Sequence, residues 1–335
     1  MKYNSENTYL TLPKLFFQKT LPEQVSDPKI AVWNESLAKE LGFQNITKKE
    51  QEKYFSGNEI FKNSSPIAQA YAGHQFGHFT ILGDGRAIVL GEQITLAGNR
   101  IDVQLKGSGR TPYSRSGDGR ATLYSMLREY LISESMHGLG IPTSRSLSVV
   151  STGNPVYRQT VQKGAVLTRI SASHIRIGTF EYAARTQSIK EVKALADYSI
   201  NRHYPELLKN KNPYLSFFKK VVEQQIKTVV NWLRVGFIHG VMNTDNITIS
   251  GETIDYGPCA FMNTYDPNTV FSSIDTQKRY AFGNQGRILL WNLARLAETL
   301  LPLFDDKEES ALSLAQVVID NYESQYQKAF TQMMR

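Results

Sequence analysis

The feature that most constrains the fold is a change of hydrophobic pattern near Ser171. Before it, short apolar runs alternate with glycine-rich turns, which is typical of strands joined by hairpins. After it, apolar residues recur every three or four positions, most regularly over 214–235, where they predict a long amphipathic helix ending at Gly236. A chain rich in strands first and in helices afterwards predicts an α+β fold with two lobes.

Turn signals divide the chain into three predicted segments. These are an irregular N-terminal arm over 1–60 with one short helix near 34–41, a strand-rich lobe over 61–170 and a helical lobe over 171–335. The other predicted strands cover 87–90, 102–105, 147–150, 156–159, 165–170, 247–250 and 253–255. The other predicted helices cover 121–137, 189–200, 214–235, 286–301 and 309–330.

Charge and cysteine content narrow the class of protein. The net charge of +7 has three explanations: nucleic-acid binding, an ordinary soluble surface, or a cleft of arginines that holds a polyanion such as a nucleotide. Dispersed basic residues argue against the first, and the motifs below favour the third. The single cysteine, Cys259, excludes an internal disulfide framework. Without a secretion signal or a membrane-spanning apolar run, we expect a cytoplasmic protein with no membrane association.

Lys106 ends an apolar strand directly before a glycine-rich turn. Burying an ammonium group there without a partner would be costly. In the small lobe of kinases, a lysine at this place contacts the nucleotide phosphates and pairs with a glutamate of the following helix. Glu129, in the next predicted helix, is the candidate partner. The alternative is a solvated lysine at the end of a strand.

The segment 239–246 resembles a kinase catalytic loop with one difference. Such loops place the base aspartate two residues after the histidine and a metal-binding asparagine seven residues after it. Asn246 matches the second position, whereas Val241 occupies the first and cannot act as a base. An unexpected acid, Asp245, stands beside the asparagine. The alternative is an ordinary loop that follows a long helix.

Asp255 stands before a tyrosine and a glycine, as the Asp-Phe-Gly metal ligand of kinases does before its own aromatic residue and glycine. Mg²⁺ favours carboxylate and amide oxygens together with phosphate oxygens. Asn246 and Asp255 could therefore offer both kinds of ligand to one ion. The ordered set that begins at Lys106 and ends at Asp255 indicates an ATP-type site.

Further phosphate-binding candidates are glycines in turns, residues at a helix start and arginines near the lobe boundary. They are Gly83, Gly85, Arg86, Asp118, Gly119, Arg169 and Arg176. Backbone N–H groups at helix starts and arginine guanidinium groups both bind phosphate oxygens. The alternatives are an ordinary hairpin, a helix-capping aspartate and surface salt bridges. His74 and His78 have the spacing of a helical zinc pair, but glycines surround them, so we expect a structural role.

Together these stretches resemble one family, the selenoprotein O type of protein adenylyltransferase, long described as a pseudokinase group. The resembling stretches are 71–77, 82–87, 104–109, 114–120, 128–131, 140–143, 239–246 and 255–258. The resemblance extends over nearly the whole chain. Members of this family continue past the point where the sequence ends, so we expect the family's C-terminal extension to be missing here.

The resemblance implies a bilobal kinase-like fold that binds ATP turned relative to ordinary kinases. AMP is then transferred to Ser, Thr or Tyr hydroxyls of proteins, and pyrophosphate leaves. By position, Asp245 is the general base, Asn246 and Asp255 hold Mg²⁺ or Mn²⁺, and Lys106 pairs with Glu129. The residues implied to line the nucleotide are Gly83, Gly85, Arg86, Lys106, Asp118, Gly119, Arg169, Arg176 and Asp255. Some relatives use UTP with manganese, so UMP transfer stays open.

Three other functions compete with nucleotidyl transfer. An atypical protein phosphotransferase would use the same ATP site but move the γ-phosphate. A non-catalytic ATP-binding module would bind the nucleotide without turnover. A nucleic-acid binder agrees least with the dispersed basic residues.

Overall fold

The computed structural model describes residues 6–335, which form two compact units. The first unit comprises 6–70 and 82–174, and the second comprises 71–81 and 175–335. The short segment Tyr71–Ile81 therefore interrupts the first unit in sequence but belongs to the second. The predicted boundary at 170/171 lies four residues before the observed division after His174.

The elements are numbered in chain order. The strands are β1 (Phe17–Lys19), β2 (Lys29–Trp33), β3 (Ile67–Gln69), β4 (Ala72–Gln75), β5 (His78–Ile81), β6 (Ala87–Ile94), β7 (Arg100–Lys106), β8 (Ala121–Thr122), β9 (Arg145–Tyr157), β10 (Val161–Ser171), β11 (Phe237–Ile238) and β12 (Ala260–Phe261). The helices are α1 (Glu35–Glu40), α2 (Lys48–Ser56), α3 (Leu123–Gly138), α4 (Ile177–Arg185), α5 (Ile189–His203), α6 (Pro213–Arg234), α7 (Gln285–Phe304), α8 (Glu308–Asp320) and α9 (Tyr322–Met333).

The first unit is built on one antiparallel sheet in the order β1-β3-β6-β7-β10-β9-β2, with β8 paired to β10. Its two faces bury different side chains because residues alternate along a strand. On one face, Val103 and Leu105 pack with Phe43 and Phe55 from the α1–α2 region. On the other face, Leu167 and neighbouring apolar residues pack against α3.

The second unit is mainly helical and centres on α6. This helix buries one apolar stripe, as its periodicity predicted, and packs against α7 and α9. The hairpin formed by β4 and β5 also belongs to this unit and packs against α4. No helix within residues 6–335 has both the length and the apolar content that crossing a membrane requires. The predicted α+β class is confirmed.

Three local predictions were wrong. Residues 17–56 are not an irregular arm, because β1 and β2 join the main sheet and α2 follows α1 with a Thr47–Glu50 capping box. The segment 247–255, within the described range, has two isolated bridges, Ile247 with Thr253 and Thr248 with Arg176, instead of two strands. The predicted helix over 309–330 is divided into α8 and α9 at Asn321. Short strands and helix breaks depend on tertiary contacts that periodicity does not encode.

Candidate functional site

The first unit brings Lys106 and Glu129 together, as their order in the sequence predicted. Lys106 and Gln104 lie two residues apart on β7, so their side chains leave the same face of the sheet. Arg169 on β10 is the cross-strand partner of Gln104 and shares that face. Helix α3 packs over this face and presents Glu129 to Lys106 and Arg169, and Gln104 joins them through Arg169. We call this group the lysine cluster (Gln104, Lys106, Glu129 and Arg169).

Every charged member of the lysine cluster is hydrogen-bonded and buried. The Lys106 ammonium donates to Glu129 Oε2 at 2.6 Å, and Arg169 Nε donates to Glu129 Oε1 at 3.1 Å. Arg169 Nη1 also donates to Gln104 Oε1 at 3.3 Å. The charged side chains are only 2–5% exposed. Because a buried ion is tolerated only when it is paired, the cluster fixes the direction of the lysine side chain.

The turn that carries Gly83, Gly85 and Arg86 is attached to the 107–119 segment of the same unit. The Thr111 hydroxyl donates to the Asp84 carbonyl at 2.6 Å, and the Ser114 hydroxyl donates to the Gly85 carbonyl at 2.5 Å. The N–H of Gly107, the residue after the lysine, donates to the Arg86 carbonyl at 2.7 Å. These predicted nucleotide-binding glycines and arginine are therefore held next to the end of β7.

Asp118 and Gly119 lie in the same segment, but the aspartate does not cap α3. Thr122 is the N-cap residue, since its hydroxyl accepts from Ser125 N–H. Asp118 instead accepts two bonds from Arg158, at 2.7 and 3.0 Å, and these bonds hold the pKa of its carboxyl at about 2. Gly119 has a φ of +67°, and a Cβ atom there would lie 2.0 Å from the Gly109 carbonyl oxygen.

The second unit contains the other predicted site residues. Asp245 lies in a single 3-10 turn, Thr244–Asn246, and is buried. Burial raises the pKa of Asp245 to about 6, and the negative charge of Asp255 acts in the same direction. Arg176 and a hydrogen bond from Gln75 oppose this rise. A carboxylate with such a pKa can be ionised at neutral pH and still accept a proton readily.

Asn246 and Asp255 fit the donor set of a divalent cation that also binds phosphate. The Asn246 amide Nδ2 donates to the Val241 carbonyl at 2.9 Å, which leaves its Oδ1 oxygen as the candidate ligand. Asp255 adopts a left-handed conformation with φ +63° at the end of the 247–255 segment. Within residues 6–335, no group of three or more His, Cys, Asp or Glu side chains could hold a metal. Two protein ligands suit Mg²⁺, which retains waters and takes phosphate oxygens.

The two arginines near the predicted lobe boundary are not surface residues. Arg169 is part of the lysine cluster in the first unit, and Arg176 caps the start of α4 in the second. The Arg176 guanidinium lies 4.0 Å from the Tyr71 ring centroid, and its charge acts on Asp245. The surface salt-bridge alternative is therefore wrong for both, because Arg169 and Arg176 are buried.

The β4–β5 hairpin is the largest part of the site region that the sequence did not predict. His74 and His78 do not share a helix face, because they lie on the two strands of this hairpin. His74 contacts Glu181 and Thr244, which makes its role structural as expected. Gln104, Arg158 and Glu181 were also missed, since nothing in their local sequence marks them. The glycines around His74 were the one available signal, because glycine often marks close backbone approach.

Comparison with known proteins agrees with the resemblance found in the sequence. The family described as protein adenylyltransferase SelO matches residues 1–335. Proteins named protein nucleotidyltransferase YdiU from Anoxybacillus flavithermus and Clostridium botulinum are each 58% identical to this chain. The matches cover 99% of this chain and 70% and 68% of those proteins.

One solved structure with a similar fold is ROP2 from Toxoplasma gondii, described as a virulence factor with a protein-kinase fold and no enzymatic activity. The similarity covers 79% of this chain and 85% of ROP2, with 10% identity and a TM-score of 0.38. The family match over the full sequence and the 58% identity carry the assignment. The chain belongs to the protein adenylyltransferase SelO family, which confirms the resemblance and the predicted nucleotidyltransferase class of enzyme.

Proposed function

We propose that this chain transfers AMP from ATP to the hydroxyl of a Ser, Thr or Tyr side chain on a protein and releases pyrophosphate. The observation that carries the proposal is the buried carboxylate of Asp245, which stands beside a predicted metal ligand. The position where kinases keep their base holds Val241. The proton acceptor is therefore at a different position from that of kinases. A displaced base suits a nucleotide that is bound so that its α-phosphate, and not its γ-phosphate, is attacked.

The residues proposed to bind ATP are those that the family resemblance implies. Lys106, held by Glu129, is proposed to contact the phosphates as a point charge. The other proposed nucleotide-binding residues are Gly83, Gly85, Arg86, Asp118, Gly119, Arg169, Arg176 and Asp255. Turn N–H groups and guanidinium groups supply donors to phosphate oxygens, which favour charge-assisted bonds. UTP in place of ATP would use the same contacts to phosphate.

Asn246 and Asp255 are proposed to hold Mg²⁺ or Mn²⁺ through an amide and a carboxylate oxygen. When bound, the cation supplies positive charge that stabilises the negative charge developing on the phosphate oxygens. Both metals accept hard oxygen ligands, so the ligand set does not distinguish them. The proposal is supported by the negative charge of Asp255, which raises the pKa of Asp245, and by Asn246 being the residue next to Asp245.

In the proposed step, Asp245 accepts the proton of the acceptor hydroxyl while the hydroxyl oxygen forms a bond to the α-phosphorus. The bond between the α-phosphorus and the oxygen bridging to the β-phosphate breaks, and pyrophosphate leaves with that oxygen and the electron pair. Oδ1 of Asp245 has no hydrogen-bond partner among the described residues, so it is the oxygen proposed to take the proton. General-base catalysis of this kind contributes roughly 10²–10⁴-fold in rate.

Labelled nucleotide distinguishes the proposal from its competitors. The chain is incubated with Mg²⁺ or Mn²⁺ and with ATP labelled at the α- or the γ-phosphate, followed by intact-mass measurement. We expect label from the α position and an added adenylate mass. Label from the γ position alone would identify a phosphotransferase, and nucleotide binding without any transfer would identify a non-catalytic module. Asp245→Asn should lower transfer by about 10²-fold or more while ATP still binds.

A further inference from the structure

The β4–β5 hairpin has a strained turn that faces the 243–246 segment of its own unit. Gln75 and His78 form the last strand pair, and Phe76 and Gly77 between them have φ values of +51° and +89°. Positive φ at both positions defines a two-residue type I′ turn, in which a phenylalanine is uncommon. Such a conformation persists only where surrounding contacts hold it, and it is often found at functional sites.

The contacts that hold the turn come from Asn243, two residues before Asp245, and from Tyr280. The Phe76 N–H lies 3.2 Å from Asn243 Oδ1 and 3.1 Å from the Tyr280 hydroxyl. Tyr280 donates to Asn243 Oδ1 at 2.5 Å, and its ring meets the Phe76 ring edge-on with centroids 5.2 Å apart. The hairpin is therefore attached to the residue two positions before the proposed base.

A closed ring of hydrogen bonds fixes the next residue, Thr244, which is fully buried. Its Oγ1 accepts from the His74 N–H at 2.8 Å and donates to Glu181 Oε2 at 2.5 Å. The other Glu181 oxygen contacts His74 Nδ1 at 2.5 Å. Because a β-branched side chain has few χ1 rotamers, a threonine held at its hydroxyl also restricts its own backbone.

The hairpin backbone also touches the Asp245 carboxylate itself. A Cβ atom on Gly73 would lie 2.2 Å from Asp245 Oδ1, so only glycine leaves room for the carboxylate in its present place. Helix α4 also packs closely here, since a Cβ atom on Gly178 would lie 1.9 Å from the Ala72 carbonyl oxygen and 3.3 Å from Asp245 Cα. Asp245 is thus enclosed by the hairpin and preceded by a fixed threonine.

We infer that Thr244 is a positioning residue for Asp245, and that His74 and Glu181 hold it so that the carboxylate keeps the orientation needed to accept a proton. This inference rests on the proposed function, because it requires Asp245 to be the base. The inference concerns geometry alone, since Thr244 itself transfers no proton to the acceptor.

Thr244→Val tests the inference because it preserves shape and removes both hydroxyl bonds. We expect kcat per folded enzyme to fall about 10–100-fold, since a small misplacement of a catalytic group can cost about 10²-fold. The KM for ATP should stay within about twofold, because the variant removes no nucleotide contact. Thr244→Ser keeps the hydroxyl and should restore most of the rate. The assay uses α-labelled ATP with Mg²⁺, with the chain itself and casein as acceptors.

Thr228→Val is the matched control. Thr228 is equally buried in α6 of the same unit, and its hydroxyl donates to the Gly251 carbonyl at 2.6 Å. A purely structural role for Thr244 predicts that both valine variants lose stability while kcat per folded enzyme stays unchanged. That result would overturn the inference. If Thr244→Val does not fold, Glu181→Gln applies the same kcat and KM test to the other end of the ring.

Hydrogen exchange gives a readout that does not depend on activity. In the nucleotide-free chain, amides of 243–246 should exchange faster in Thr244→Val than in the parent, and Thr228→Val should leave them unchanged. Equal exchange in all three proteins would contradict the inference. If Asp245→Asn transfers AMP at the parent rate, the proposed base is wrong and the inference falls with it. If Asp245→Asn is inactive and Thr244→Val is fully active, only the inference fails.

Discussion

Replacing Glu129 with glutamine should destabilise the first unit strongly, because this carboxylate neutralises two buried cations. Lys106 and Arg169 both bond to it, and the three side chains are no more than 5% exposed. Exposed ion pairs contribute about 0–1 kcal/mol, whereas removal of one partner from a buried pair costs about 3–5 kcal/mol. Because the exposed fractions are so low, Glu129→Gln removes one partner from a buried pair and not from an exposed one. We therefore expect a loss of about 3–5 kcal/mol in the free energy of unfolding.

Guanidinium chloride unfolding followed by circular dichroism measures this loss as a lower midpoint at an unchanged slope. Since the chain has two compact units, hydrogen exchange of peptides from β7 and α3 assigns the loss to the first unit. Glu59→Gln is the matched control, because Glu59 pairs with Lys53 in the same unit and both side chains are more than 40% exposed. The control should lose far less stability than Glu129→Gln, because solvent screens an exposed pair.

An unchanged midpoint for Glu129→Gln would refute the reasoning, since it would mean that the two cations do not depend on this carboxylate. A loss equal to that of Glu59→Gln would refute it as well. Lys106→Met should cost less than Glu129→Gln, because Glu129 then keeps Arg169 as its partner. The order of these three variants tests the buried network more sharply than any single value.

Three further predictions concern the second unit. Gly73→Ala should abolish most transfer, because its Cβ would meet Asp245 Oδ1, whereas Gly138→Ala, with open space around the new Cβ, should keep the parent rate in the same α-label assay. Burial lowers the pKa of His239, so this imidazole binds a proton more tightly in the unfolded chain than in the folded one. The free energy of unfolding should therefore fall as the pH drops below about 6.5, and His239→Gln should weaken that pH dependence in urea unfolding. Asp255→Ala should remove metal-dependent ATP binding in calorimetry, and binding equal to the parent with and without EDTA would contradict the proposed ligand.

Several features of the site could be predicted because they follow from local chemistry. If Lys106 was buried, its ammonium group required an anionic partner, and the next helix contains Glu129. The α6 helix followed from its apolar stripe, and it ends one residue before the predicted position. By contrast, nothing near Arg169 indicates that it shares Glu129 with the lysine, since that contact depends on strand register between β7 and β10.

The membership of Tyr71–Ile81 in the second unit was also beyond prediction. The segment lies in sequence between β3 and β6, which pair with each other in the first unit, yet its own partners are α4 and the 243–246 segment. Alternating residues and a Phe-Gly turn can indicate a hairpin, but they do not indicate which surface the hairpin packs against. Contacts between residues about 170 positions apart, such as His74 with Thr244, are set by packing.

The order of chemical groups along the chain was determined by the sequence alone: a lysine after a strand, a helix glutamate, a loop with asparagine and a displaced acid, and an aspartate before an aromatic and a glycine. These follow from residue type and short spacing, which a linear chain carries directly. Only the tertiary structure decided that Asp245 is buried against Gly73 and that its neighbour Thr244 is held by Glu181. Burial and hydrogen-bond partners arise from distant segments that meet on folding, and these long-range contacts set the pKa and orientation of a carboxylate.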